Sequence, residues 1–246
     1  MKIVHTKNLS AFSIISMSAE RRFLDVKKPL PWIEPSINMI HLDTVKSFVF
    51  SSPLASIGCA TYLLEHSLRM AVWDPIESGS GRKKTSKKIF DETLGNLLDS
   101  QKYPNLKIVL PDPADIVWWK SVTKAVRNKV NHVDVPAIFR IAQELQFEYD
   151  YAYSGFDGFW NAEDPHSWGM FWHRFGEKLA SDFIVQVTDQ VFKLIENTQW
   201  KPDESWWISQ KHEYDGFFQE SWDFESLQRS LNRVYDDSPS DISSSK

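Results

Sequence analysis

Asp112-Pro113-Ala114-Asp115-Ile116-Val117-Trp118-Trp119-Lys120, running on to Arg127-Asn128-Lys129-Val130-Asn131-His132, is the stretch that decides how this chain folds. Asp112 has the acceptor side chain of an N-cap, and Pro113 suits the first helical position, where a missing N–H costs nothing. Trp119, Val122, Val126 and Val130 fall on one helical stripe, and Lys120, Lys124, Arg127 and Asn131 on another. The spacing predicts a helix over 113–131. Pro136 then keeps Val135 out of α geometry, so the helix stops near His132.

The same reading extends outward in both directions. Over 53–73, Leu54, Ile57, Tyr62, Leu64, Leu68 and Val72 recur at helical spacings, and Glu65 and Arg69 form an i, i+4 pair. Ile138, Ile141, Ala142, Leu145 and Tyr149 predict a helix over 136–149. Leu179, Phe183, Val187, Val191 and Ile195, spaced by four, predict the longest one over 173–197. Shorter helices are expected over 87–100 and 225–235. The fold class is therefore mainly α, a helical bundle.

Residues 1–50 read differently, as an irregular N-terminal extension. Strand-like runs occupy 2–6 and 11–17, and prolines punctuate a connector over 28–35. A further strand-like stretch covers 106–110. The expected organisation is an extension over 1–50, a helical core over 51–200, an acidic, Trp-rich helical addition over 201–235, and a disordered Ser/Asp-rich tail over 236–246. The aromatic segment 151–172 is acidic, which favours a packed loop over a stacking platform for bases.

The 246 residues suffice to bury a sizeable core, and 42% apolar content suits a folded chain. No apolar run reaches the roughly 18 residues of a membrane span. A lone cysteine, Cys59, and the polar start of the chain suit a cytoplasmic protein. Cys59 is read as a buried thiol. The net charge of −5 is unevenly spread: residues 1–140 carry 20 Lys/Arg against 13 Asp/Glu, and residues 141–246 carry 8 against 20. Arg82, Lys83, Lys84, Lys87 and Lys88 form a basic loop that would attract a phosphate backbone, with Lys120 as a further contact. A solvated surface loop is the plainer account of the same residues.

Phosphate-loop, dinucleotide-binding, zincin and nucleophile-elbow motifs are all absent. Lys211-His212-Glu213-Tyr214-Asp215 offers too few convergent ligands for a metal, so no metal or cofactor is expected.

Arg127-Asn128-x3-His132, at the end of a helix, resembles the R-x4-6-H signature of the HEPN superfamily, which includes many RNA-cutting toxins. The resemblance implies a helical, dimeric, metal-independent endoribonuclease that serves as a toxin or a defence or stress effector. Its catalytic residues would be Arg127, Asn128 and His132, with Glu65, Lys124 and Asn131 in support. It also implies an antitoxin or regulatory partner beside the RNA substrate. On an ideal helix Arg127 and His132 would point about 140° apart. They converge if the helix ends there or if a second copy completes the site. The alternative is a non-catalytic helical interaction protein, either an inactive HEPN or an immunity-type partner, with Arg127 as a surface cation and His132 as a helix-end cap.

Overall fold

The computed structural model describes residues 18–50, 52–72, 92–123, 165–198 and 207–219. Among them regular structure is helical throughout, in accord with the mainly α expectation. The helices are α1 (18–26), α2 (Pro35–Phe50), α3 (Pro53–Val72), α4 (Leu94–Leu97), α5 (Leu106–Val109), α6 (Pro113–Val122), α7 (Pro165–Asn197) and α8 (Ile208–Gln219).

Proline opens α2, α3, α6 and α7, placed where its fixed φ helps and its absent N–H is not needed. In α2 and α6 the residue directly before the proline supplies the cap, as it does in α3. The Glu34 carboxylate accepts from the Ser36 N–H at 3.3 Å, while its carbonyl accepts from Ile37 and Asn38. Ser52 closes α2 by donating its N–H to the Ser47 carbonyl, then opens α3 with its own carbonyl and hydroxyl. Asp112 caps α6 through Ala114 N at 2.8 Å, as the sequence led one to expect.

α3 is the central helix, packed against both α2 and α7. Ile57, Leu63, Leu64 and Leu68 are fully buried there, as are Leu42, Val45 and Phe48 of α2 and Leu179, Phe183, Val187 and Val191 of α7. The five-residue stripe anticipated over 173–197 is buried in full, and its helix begins earlier, at Pro165. Tyr62 departs from its expected place and is exposed, because Leu63 and Leu64 supply the inward face.

Other expectations are corrected. Residues 18–50 do not form an irregular extension: α1 and α2 contribute Phe23, Val26, Ile37, Leu42 and Phe48 to the same core as α3 and α7. Residues 106–109 are helical rather than strand-like. Leu106 and Val109 turn inward one turn apart while Ile108 faces out, a spacing of three that a strand would not produce. The helix expected over 87–100 is reduced, among its described residues, to α4, which Thr93 starts by accepting from Asn96 N. The strand-like runs at 2–6 and 11–17, residues 124–131 of the helix expected over 113–131, the helices over 136–149 and 225–235, residues 151–164 of the aromatic segment and the tail lie outside the described residues. Residues 165–172 of that segment are not a loop but the first turns of α7.

Polar side chains tie the helices together. Arg22 of α1 donates through Nε (3.0 Å) and Nη2 (2.8 Å) to Glu177 of α7. Buried Asn38 accepts from Ile33 N and donates to the Pro31 carbonyl, which fixes the connector that enters α2. Cys59 is half-buried, with Ser47 Oγ at 4.0 Å.

Candidate functional site

Of the residues the sequence nominates, Glu65 and Lys120 lie within the described chain. Arg127, Asn128, His132, Lys124, Asn131, Arg82, Lys83, Lys84, Lys87 and Lys88 lie outside it.

α6, the helix that leads toward Arg127, is anchored by a polar seam to α7. Trp118 Nε1 donates to Gln186 Oε1 and Trp119 Nε1 to Gln190 Oε1, each at 3.0 Å. The Gln190 amide donates onward to Asp115 Oδ1 at 2.8 Å, and Lys193 Nζ reaches the same oxygen at 2.8 Å. Burial pushes the Asp115 carboxyl up, but the Lys193 and Gln190 hydrogen bonds and the Lys193 charge outweigh it and hold the group below its ordinary range. Asp115 is thus a fixed carboxylate. With Trp119 and Val122 buried, Lys120 projects to solvent on the opposite side. That is the two-sided pattern the sequence predicted for these positions.

Glu65 forms the expected ion pair with Arg69. Arg69 Nη2 also donates to the Glu92 carbonyl at 2.9 Å, so the pair links α3 to the start of α4.

Two polar clusters were not visible from sequence. In the first, Ser36 Oγ lies 2.7 Å from His66 Nε2 and 2.9 Å from Glu34 Oε1. The hydroxyl has one proton, and the carboxylate claims it, so His66 donates to Oγ. Burial lowers the His66 pKa, the Glu34 charge raises it, and the Arg69 charge lowers it further. Ser36 is then a relay between α2 and α3, not an activated nucleophile. In the second, His41 and Tyr214 meet inside the core, 2.8 Å apart. Only tertiary placement reveals either cluster, since their partners stand 30 and 173 positions apart.

The outer face of α8 lines a cavity of about 480 Å³ with Ile208, Lys211, His212, Asp215, Gly216 and Gln219. Among the described residues no group of three or more His, Cys, Asp or Glu is placed to hold a metal ion, His212 and its neighbours included. No described helix is long and apolar enough to cross a membrane. No protein-family model, curated protein or solved structure matches the chain.

Proposed function

We propose that the chain is a metal-independent endoribonuclease of HEPN type, with Arg127, Asn128 and His132 as its catalytic residues. The observation that carries this reading is the Arg127-Asn128-x3-His132 spacing, in the basic part of the chain. Support comes from the mainly helical fold and from α6, whose buried seam to α7 leaves Lys120 facing solvent.

The chemistry suits the residue types. An RNA 2′-OH attacks the adjacent phosphorus, and the bond to the 5′ oxygen breaks, leaving a 2′,3′-cyclic phosphate and a 5′-OH. His132 takes the hydroxyl proton or returns one to the leaving oxygen. The Arg127 guanidinium pairs with the phosphate oxygens and stabilises the charge gathering on them. Asn128 orients His132 or bonds the phosphate. Lys120, Lys124 and the basic loop of Arg82, Lys83, Lys84, Lys87 and Lys88 attract the backbone. Glu65 is committed to Arg69, so it supports a site through that pair and not as a free acid. A homodimer that joins two Arg127–His132 segments, a cytoplasmic setting, and control by an antitoxin or regulatory partner belong to the same proposal.

One observation favours a non-catalytic interaction protein instead. The buried or part-buried ionisable groups His41, Glu65 and Asp115 are all occupied in holding helices together. Incubating total RNA with the wild-type chain and with Arg127→Ala separates the two readings. Cleavage by the wild type alone supports the nuclease, and no cleavage by either supports the interaction protein.

A further inference from the structure

We propose that His41 and Tyr214 form a latch that holds α8 on the helical core and opens on acidification, freeing α8 while α2, α3 and α7 stay packed. The latch is a directed chain of hydrogen bonds. Leu30 N donates to the Tyr214 hydroxyl oxygen at 2.7 Å, which sends the phenolic proton to His41 Nδ1 at 2.8 Å. His41 is therefore the Nε2–H tautomer and donates to Thr188 Oγ1 at 3.3 Å. One neutral ring thus joins α2 to α7, to α8 and to the connector before α2.

Among the described residues, the groups around His41 offer nothing to balance a positive charge. α8 presents Tyr214 and the Phe218 ring, stacked on His41 at 5.4 Å with a 6° interplanar angle. α7 presents the Thr188 hydroxyl, the connector presents Leu30 N to Tyr214, and the Asn38 side chain of α2 bonds the same phenol. The charged groups nearby, Lys46–Glu213, Lys28–Asp189 and Asp215, lie at the rim. His41 is fully buried, and burial drives its pKa from 6.5 down to about 3. Protonation would turn Nδ1 into a donor aimed at a hydroxyl that already points its proton there.

α8 is the wall that can leave. It is 12 residues long and is seated by Tyr214, Phe217 and Phe218 against His41, Phe23 and Trp32. Its ion pair to α2, Lys46–Glu213 at 2.7 Å, is exposed to solvent and weak. Undocking one short helix lets water reach His41 and disturbs far less packing than unfolding α2, α3 and α7.

The test is amide hydrogen exchange on the full chain between pH 7.5 and 4.5, corrected for the intrinsic rate. Protection over 208–219 should fall about tenfold per pH unit below about 6.5, the slope of one linked proton. Protection over 57–68, which reports global unfolding, should fall with the same slope but stay well above that of 208–219, because α8 opens at a lower free energy. His41→Gln, which keeps an acceptor and a donor without a titrating ring, should flatten the response. Constant wild-type protection over 208–219, or protection there as high as over 57–68 at every pH, overturns the latch. An unchanged acid response in folded His41→Gln overturns His41 as its trigger. If that variant does not fold, the wild-type series alone decides.

Discussion

The Trp119 indole N–H and the Gln190 side-chain carbonyl meet at 3.0 Å in a buried seam between α6 and α7. The same Gln190 turns its amide to Asp115, so one side chain satisfies a donor and an acceptor of α6 at once. This fixes α6 in rotation, with Trp119 inward and Lys120 outward.

Replacing Gln190 with Leu should leave the Trp119 donor unpaired in the interior and reduce what holds Asp115. The expected loss is about 2–3 kcal/mol, the scale of an orphaned buried polar group. Urea unfolding followed by tryptophan fluorescence measures it, and a change below about 0.5 kcal/mol would show the seam to be unimportant.

Asp112→Ala removes the side-chain acceptor that caps α6 and should cost about 1 kcal/mol. Asp112→Asn keeps an acceptor and should restore most of it in the same urea experiment.

Core and surface of α3 should respond very differently. Leu64 is fully buried, so Leu64→Ala should destabilise by about 2–5 kcal/mol. Tyr62 is 55% exposed, and Tyr62→Ala should stay within about 0.5 kcal/mol of wild type by thermal and urea unfolding.

Stability should also depend on pH through His41. Its folded pKa is depressed to about 3 against 6.5 in the open chain, so its contribution is complete above 6.5. Below that the unfolded chain binds the extra proton, and stability falls by up to about 1.4 kcal/mol per pH unit toward pH 3. The urea midpoint should be level between pH 8 and 7 and lower at pH 5.5. His41→Gln should remove most of that difference.

The sequence was most informative where one helix face is apolar and regularly spaced. Leu179, Phe183, Val187, Val191 and Ile195 are all buried as their spacing implied, and Asp112-Pro113 starts its helix as its chemistry required. α2 was missed for a physical reason. Its buried face includes Asn38, His41 and Thr44, which interrupt the apolar stripe, and Ile37, Ile40, Val45 and Val49 favour strands by local preference. Those polar residues are satisfied by Pro31, Ile33, Tyr214, Thr188 and the Ile40 carbonyl, most of them partners that no local pattern shows. The proposed site rests on residue type and spacing alone at Arg127, Asn128 and His132, which lie outside the described residues; Lys120, a proposed RNA contact, is exposed on α6.

The central claim is tested most directly by the ends of the RNA that the protein leaves. Wild-type and His132→Ala chains, both checked for folding by circular dichroism, are incubated with total RNA in EDTA, and the 3′ termini are analysed. The account predicts 2′,3′-cyclic phosphates from the wild type, at a rate that EDTA does not change, and a loss of at least about a hundredfold in His132→Ala. Equal cutting by the two proteins, or termini bearing a 3′-OH, would contradict it.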